Sequence, residues 1–555
     1  MEKVKRLNVR DRTTSLLVAM TTLLLCGAVA VVLLSRWFAV DPARELTRSM
    51  PGADGGPTDV ERAAVDPLKV ELAGTLETFG GTPSDLPGSW PRFRGSDFDN
   101  IAKGSEKLAD SWPEAGPEIL WSVALGEGHA APAVFNGCVY LFDYDEEKRA
   151  DALRCFSLAD GQEIWRRSYE LPAKRNHGLS RTIPAVTEDC IVTVGPRCHV
   201  SCVETKTGEF RWGIDLQQDY GTTEPLWFTG QCPLIDDGKA ILAPAGPDAL
   251  LMAVDCATGN VLWKTPNPKG WNMSHSSVMP MTIHGEEMVV YAAVGGLAGV
   301  SLDGKLLWEI PWSASVIAPS PVLLSDNRIF ITAGYGAGSL MVQVDKKDGG
   351  YAATEISKTG PKEWMACEQQ TPILRDGLLY GIMPKDGGAL KQQFVCYSPD
   401  GTEPVWSSGK THRFGLGPFL LADEKFYLLD DDGTLTMLSY STTGYEQLAQ
   451  YKVLDGHDAW GPIALAGTRM LLRDSVRMVC IEVGVTPERR MGSSVGPVGG
   501  SVAGPTPSTA EFRQYGVTPE LSGIPRGSGS LAAVAGPTGE YALSSGSIFL
   551  SGGSK

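Results

Sequence analysis

Polar and ionisable side chains recur in this sequence shortly before prolines that begin apolar, strand-like segments. Guanidinium and imidazole groups that converge can bind an anion, and a mixture of imidazole, amide and carboxylate groups also suits a carbohydrate. An ordinary hydrated polar channel is the alternative. The candidate ligand-binding residues are His129, Arg181, Gln231, His275, Gln370, Arg413, His457 and Asp458.

Motifs for catalysis and for metal binding lack the context that they need. The run at 492–496 has the spacing of a serine nucleophile elbow, but it lies in a Gly/Ser/Pro-rich region without a preceding strand. The seven histidines show no metal-ligand spacing. The acidic run at 430–433 lacks the spacing of a calcium loop and is typical of a hairpin turn. We therefore predict no catalytic residue, cofactor-binding residue or metal ligand.

A repeat is the element that could bring the candidate residues together. The pattern Gly-x-x-x-Trp recurs with variations every 42 to 53 residues, and a proline followed by two short strands recurs in phase with it. Several short strands per unit at this period are typical of a β-propeller. The residues just before each inner strand would then ring one mouth of the central channel. The prolines that mark eight units are Pro132, Pro184, Pro233, Pro280, Pro321, Pro372, Pro418 and Pro462.

The two ends of the repeat region complement each other. The segment "EILWSVALG" at 118–126 resembles an outer strand without earlier strands of its own, whereas the last unit has inner strands but no outer one. Pairing the two segments would close the ring and remove both open edges. The sequence thus predicts an all-β, eight-bladed propeller over residues 90–484.

Within each unit, a small residue, a glycine and a tryptophan are interpreted as packing residues. The glycine would allow a tight turn, and the tryptophan would fill the wedge between neighbouring blades. Cysteine occupies the small position in "CFSLADGQEIW" at 155–165 and in "CVETKTGEFRW" at 202–212. Disulfides are the alternative reading of these cysteines, and the candidate pairs are Cys138/Cys155 and Cys190/Cys202.

The regions that flank the repeat differ from it in composition. Residues 1–12 form a short basic N-terminus, and 13–35 are apolar for long enough to span a bilayer as a helix. We expect an uncleaved anchor with the body outside the cytoplasm, and a cleaved signal peptide is the alternative. Residues 36–89 are expected to be a linker with one short helix near 65–79, and 485–555 a disordered tail.

The repeat resembles the PQQ-like β-propeller family, whose pattern is close to "AVDCATGNVLW" at 253–263. The segment "WPRFRGSDFDN" at 90–100 looks like the WPxFRG lead-in of secreted propellers of planctomycete-type bacteria. The family includes quinoprotein alcohol dehydrogenases and the lipoprotein of the outer-membrane β-barrel assembly machinery. For the dehydrogenases the resemblance implies PQQ, calcium and a ring formed by adjacent cysteines, but this sequence has no Cys-Cys pair.

These observations favour a membrane-anchored, extracytoplasmic binding or scaffold protein of the cell envelope. A PQQ-dependent oxidoreductase and an outer-membrane assembly factor are the alternatives. The formal charge is −16 overall and still more negative without the basic N-terminus, so the body repels nucleic acid. The expected partners are the membrane, through the N-terminal helix, and a protein or carbohydrate ligand; no cofactor is expected.

Overall fold

The computed structural model describes residues 20, 27–28, 70–173, 177–347 and 349–485, and its strands form eight separate sheets. Each sheet has four antiparallel strands from the repeat, and two sheets carry one extra strand. The predicted all-β propeller with eight blades is confirmed. The blades are numbered here from 1 to 8 in chain order of their inner strands.

Blades 1 to 4 follow one another without interruption, and their strands run in sequence order from the channel outwards. Blade 1 consists of Ala133–Phe135, Cys138–Asp145, Ala150–Ser157 and Glu163–Glu170. Blade 2 consists of Ala185–Val186, Cys190–Val194, His199–Glu204 and Phe210–Asp215, and a short helix, Leu216–Tyr220, follows it. Blade 3 consists of Leu234–Asp236, Lys239–Leu242, Leu251–Asp255 and Val261–Thr265. Blade 4 consists of Met279–Ile283, Glu286–Ala293, Gly295–Ser301 and Leu306–Trp312.

Blades 5 to 8 complete the ring. Blade 5 consists of Val322–Leu323, Arg328–Ala333, Gly338–Lys347 and Gly350–Thr359. Blade 6 consists of Ile373–Arg375, Leu378–Ile382, Phe394–Tyr397 and Pro404–Ser407, with a 3₁₀ turn at Gly388–Leu390. Blade 7 consists of Phe419–Ala422, Lys425–Leu429, Thr434–Ser439 and Gln447–Lys452. Blade 8 takes three strands from the end of the repeat and one from its beginning: Ala464–Ala466, Arg469–Arg473, Arg477–Glu482 and Ile119–Ala124.

The shared blade confirms the predicted closure of the ring. The outer strand Ile119–Ala124 pairs antiparallel with Arg477–Glu482, and Trp121 lies directly opposite Cys480. The backbone N–H of Leu125 also donates to the carbonyl of Val476. Blade 8 therefore joins the two ends of the repeat region through an antiparallel strand pair with one irregularity between Ile119 and Trp121.

The recurring tryptophan packs against the glycine of the next blade, which explains why both recur. A Cβ atom added to Gly208 would lie 2.8 Å from the ring of Trp165 in blade 1, and one on Gly259 would lie 2.7 Å from Trp212 in blade 2. The small residue is the cross-strand partner of the tryptophan in its own blade, as in the pairs Cys155–Trp165, Cys202–Trp212, Ala253–Trp263 and Cys396–Trp406. The prediction that the tryptophan fills the space between neighbouring blades is thereby confirmed. The glycine of the next blade forms the other side of this contact.

The ten described cysteines are buried and are not joined in disulfides. In the two candidate pairs, Cys155 lies opposite Tyr140 and Cys190 lies opposite Glu204, so the members of each pair are diagonal neighbours on adjacent strands. Neither candidate pair therefore consists of directly opposed residues. Packing is the role that the structure gives these side chains.

The end of the predicted linker differs from the prediction. Residues 70–89 are described, and Thr75–Thr78 is a strand that pairs with the outer strand of blade 1, so the short helix predicted near 65–79 is wrong at these positions. An unpaired outer strand offers a row of hydrogen-bonding groups, and pairing with it overrides the weak local preference of this segment.

The apolar segment 13–35 lies almost wholly outside the described residues. Among the residues that are described, no helix is long and apolar enough to cross a membrane.

Candidate functional site

Residues 90–102, here called the lead-in segment, cross the central channel and close one end of it. Trp90 exchanges backbone hydrogen bonds with Val134 in the inner strand of blade 1, and the carbonyl of Pro91 accepts one from Val186 in blade 2. At the far side, Ile101–Ala102 pairs in parallel with the inner strand of blade 7. Because blades 1 and 2 are separated from blade 7 around the ring, the chain between these contacts spans the channel.

Arg94 fixes the middle of the lead-in segment. Its Nη1 donates to the carbonyl of Thr371 at 2.8 Å and its Nη2 to that of Pro372 at 3.0 Å, just before the inner strand of blade 6. Two further bonds go to the carbonyls of Phe98 and Asp99 within the segment. Burial lowers the pKa of Arg94 to about 10, so the guanidinium stays protonated at neutral pH.

The closed channel contains a cavity of about 150 Å³. Phe93, Arg94 and Asn100 of the lead-in segment line it from one side. Loops that precede inner strands contribute most of the other lining residues. These include His129, His177, Arg181, Trp227, His275, Glu368, Gln369, Gln370 and Trp460, together with Tyr335 from a hairpin of blade 5.

Aromatic rings form one wall of this cavity. Trp227 stacks on Tyr335 with ring centroids 5.6 Å apart and on His275 at 6.5 Å, with interplanar angles of 26° and 20°. Trp227, Phe228 and Tyr335 have φ values of 62°, 72° and 57°. The left-handed region costs a bulky residue about 1–3 kcal/mol, and such strain clusters at ligand sites. The wall is therefore held in place against the local preference of its backbone.

A cationic group lies next to this wall. The Nε of Arg181 donates to the carbonyl of Trp227 at 2.6 Å, and its Nη2 donates to the carbonyl of His177 at 2.9 Å. The Nε2 of His129 bonds to the same His177 carbonyl at 3.0 Å, which places His129 beside Arg181. Burial lowers the pKa of Arg181 to about 10, so it remains charged at neutral pH.

Burial keeps two of the three histidines that line the cavity neutral. Desolvation, and secondarily the charge of Arg181, lower the pKa of His275 to about 3. The same two causes, together with Arg473, lower the pKa of His129 well below its usual value. Burial raises the pKa of Glu368, which is the one carboxyl group among the lining residues. In each case burial is the largest cause, because a low dielectric constant disfavours the charged form of the group.

Four of the eight candidate residues line the cavity, and four do not. His129, Arg181, His275 and Gln370 lie together there. Gln231 is buried outside the lining, with its amide bonded to the Tyr291 hydroxyl and the Ala243 backbone. Arg413 is exposed and bonds to the carbonyl of Lys410, and His457 is exposed and paired with Asp458 at 3.0 Å. Half of the set therefore lies in one cavity and half lies outside its lining, and the role of these residues in ligand binding stays a prediction.

Sequence reasoning missed Trp227, Tyr335, Glu368 and the lead-in segment as parts of the site. The available signals were the spacing of Glu368 directly before Gln369 and Gln370, and the Trp-Phe pair in a Gly/Pro-rich loop. The role of Arg94 in joining the lead-in segment to blade 6 carried no local signal, because its two carbonyl partners there are 277 and 278 residues away in the sequence.

The lining residues do not fit the calcium that accompanies PQQ in dehydrogenases. Calcium takes six to eight oxygen ligands, several of them carboxylates. One carboxyl group and two guanidinium groups line this cavity, and no group of three or more His, Cys, Asp or Glu side chains in the described residues could hold a metal ion.

Comparison with known families identifies the repeat. Residues 148–408 match the family model described as outer membrane protein assembly factor BamB, which belongs to the PQQ-like repeats, and the predicted resemblance is confirmed. No curated protein matches the chain significantly.

Solved structures also match the chain, at low sequence identity. BamB from Moraxella catarrhalis is 11% identical, with a TM-score of 0.45, and the match covers 66% of this chain and 99% of that one. Quinohemoprotein alcohol dehydrogenase from Comamonas testosteroni is 13% identical, with a TM-score of 0.40, over 74% of this chain and 83% of that one. Likenesses of this degree carry no information about ligand or activity.

Proposed function

Because residues 148–408 are PQQ-like repeats and place this chain among the propellers of that family, we propose that it is a membrane-anchored, extracytoplasmic binding protein of the cell envelope without catalytic activity. The apolar segment at 13–35 and the basic residues before it support the anchor and the orientation. The ring is the scaffold, and the closed cavity in its channel is the ligand site.

The observation that carries the proposal is the closure of the channel by the lead-in segment. A through-channel would be filled with exchanging water, whereas a blind cavity lined by aromatic and cationic side chains is typical of a small-molecule site. The strained backbone at Trp227 and Tyr335 supports the same interpretation, because strain of this kind persists where the surrounding structure holds a binding surface in place.

Ligand screening on the full-length chain in detergent tests the proposal. The panel contains small organic acids, aromatic acids, neutral sugars, sugar acids, and PQQ with calcium, and the melting temperature is the readout. We expect at least one small molecule to raise the melting temperature of the wild type. A chain that no compound of the panel stabilises would contradict the proposal, and reduction of a dye after loading with PQQ and calcium would replace it with an oxidoreductase.

A cavity-filling variant ties any such ligand to the channel. Ala318 lines the cavity, so Ala318→Phe would occupy ligand space, whereas Ala115→Phe at an exposed position is the matched control. We expect the ligand-induced shift to disappear in the first variant and to persist in the second. Equal shifts in both variants would place the ligand elsewhere and would count against the cavity.

Outer-membrane protein assembly is a second candidate, favoured by the description of the matched family model. Co-purification of the full-length chain with a β-barrel assembly factor, compared with an unrelated propeller carrying the same anchor, tests it. Enrichment over that control would support an assembly role, and equal recovery would leave the small-molecule role as the proposal.

Protease accessibility in intact and permeabilised cells tests the proposed extracytoplasmic location.

A further inference from the structure

We infer that the channel cavity takes a single-ring aromatic carboxylate, an inference that rests on the proposed ligand-binding function. Three features define this class: the size of the cavity, the parallel aromatic wall, and the charge of the lining.

The size of the cavity limits the ligand to one ring. A cavity of about 150 Å³ accommodates a molecule such as benzene. A fused system of three rings with several carboxylates exceeds this volume. The ligand is therefore a six-membered ring with one or two small substituents, and the closed floor formed by Phe93 and Arg94 prevents a longer molecule from passing through.

The shape of the wall favours a planar ring. Trp227 stacks with both Tyr335 and His275, and each of these two ring planes lies within 26° of the plane of Trp227. Tyr335 is 40% exposed, so the stack has an accessible end. Aromatic pairs gain about 0.5–1.5 kcal/mol beyond the area that they bury. A flat ring can extend such a stack, whereas a puckered ring loses the parallel contact.

Several polar groups of the lining are already hydrogen-bonded to the protein itself. Asn100 donates to the carbonyl of Phe419, and Gln370 donates to that of Trp460 at 3.1 Å. The Oγ1 of Thr371 accepts from the backbone N–H of Ser320 at 2.8 Å, and the Oγ of Ser277 accepts from that of Cys232 at 3.0 Å. A sugar with four or five hydroxyls would leave several of them without partners, and each unsatisfied buried hydroxyl costs about 1–3 kcal/mol.

The charge of the lining favours one carboxylate on the ring. Arg94 and Arg181 contribute two guanidinium groups to the wall, against the single carboxyl group of Glu368. Both guanidinium groups are buried, where a charge acts over a short distance with little screening by water. An anionic ring would be stabilised there, and a cationic ring would be repelled.

Matched probes separate the three features in titration calorimetry of the full-length chain in detergent at pH 7. Benzoate has the ring and the charge, benzyl alcohol has the ring without the charge, and cyclohexanecarboxylate has the charge on a puckered ring. We expect benzoate to bind at least tenfold more tightly than either of the others, and glucose and glucuronate to bind more weakly still. Benzyl alcohol or cyclohexanecarboxylate binding as tightly as benzoate would overturn the inference.

A variant of the aromatic wall supplies the second test. Tyr335→Leu removes the accessible end of the stack, and Tyr351→Leu, on the outer strand of blade 5, is the control. We expect benzoate affinity to fall at least fivefold in Y335L and to stay unchanged in Y351L. Unchanged affinity in Y335L would overturn the inference. Binding of glucuronate or glucose in place of benzoate would overturn the ligand class while leaving the proposed function intact, whereas the absence of any ligand in the wider panel would remove both.

Discussion

At the scale of single residues, Arg94 joins the lead-in segment to blade 6 and thereby forms the floor of the cavity. Its side chain donates to four backbone carbonyls, two of them next to the inner strand of blade 6. A buried carbonyl that loses its donor is left without a hydrogen bond and also without water. Removal of Arg94 should therefore lower the free energy of unfolding by more than the net contribution of an average hydrogen bond.

We expect Arg94→Ala to lower the free energy of unfolding by at least about 2 kcal/mol, because buried carbonyls would lose a charged donor. Arg413→Ala is the control, since Arg413 is exposed and bonds to one nearby carbonyl, and its effect should stay within about 0.5 kcal/mol. Urea denaturation followed by tryptophan fluorescence measures both. Equal midpoints for the two variants would show that the lead-in segment is not fastened by this side chain.

His275 makes the stability of the protein depend on pH. Its pKa is about 3 in the folded chain, mainly through burial, against about 6.5 in the unfolded chain. Between these values the unfolded chain binds more protons, so the free energy of unfolding falls as the pH falls. Asp151 acts in the opposite direction, because burial raises its pKa to about 8.

The contribution of His275 is therefore measured as a difference between two proteins. From pH 6 to pH 4, we expect the wild type to lose about 1.4 kcal/mol more per pH unit than His275→Gln, which keeps Asp151 and His129 unchanged. Urea denaturation at several pH values provides the two curves. Parallel curves would mean that His275 takes up its proton without unfolding.

At the scale of elements, the recurring unit is a contact between two blades rather than a property of one. The glycine of each typical repeat lies under the tryptophan of the preceding blade, as Gly259 lies under Trp212. Gly238 has a similar φ, 72° against 76°, and belongs to the same blade 3, but open space surrounds the position where its Cβ would lie. Substitutions at these two glycines can therefore distinguish the free-energy cost of backbone strain from the cost of disturbing the contact between blades.

We expect Gly259→Ala to destabilise the protein by about 1–3 kcal/mol more than Gly238→Ala, because overpacking against the Trp212 ring adds to the strain that both variants share. Thermal unfolding of the two variants and the wild type gives the difference. Comparable losses in both variants would show that the glycine recurs for its turn alone and that the indole contact contributes little.

The blades could be predicted from sequence because their determinants are local. The proline, the hairpin and the Gly-x-x-x-Trp pattern lie within one unit, so eight copies indicated eight blades. Contacts that join distant segments left no such pattern. Two carbonyl partners of Arg94 lie 277 and 278 residues away, and Trp227 and Tyr335 meet only because the loop before blade 3 and a hairpin of blade 5 face one channel. Gln231 precedes an inner strand as predicted, but its amide bonds to Ala243 and to the more distant Tyr291. The local sequence pattern did not indicate these contacts, which turn its side chain into the protein.

At the scale of the whole molecule, stability depends on blade 8, because its outer strand comes from the beginning of the repeat region and its other three strands come from the end. The indole Nε1 of Trp121 also donates to the carbonyl of Leu158 at 3.0 Å, so the closing strand is fastened to blade 1 as well. Removing the other three strands of blade 8 would leave Ile119–Ala124 with a free edge and would expose the apolar faces of blades 1 and 7.

Two truncations test this dependence. A chain that ends after Val485 retains all of blade 8, and we expect its melting temperature to match that of the full-length chain. A chain that ends after Gly461 lacks the strands from Ala464 to Glu482, and we expect it to lose the cooperative thermal transition and to aggregate, because the ring can no longer close. Circular dichroism and size-exclusion chromatography distinguish the outcomes. A cooperative, monomeric protein ending at Gly461 would mean that the seven remaining blades hold the ring without the closing ladder, and that the channel and its cavity do not depend on it.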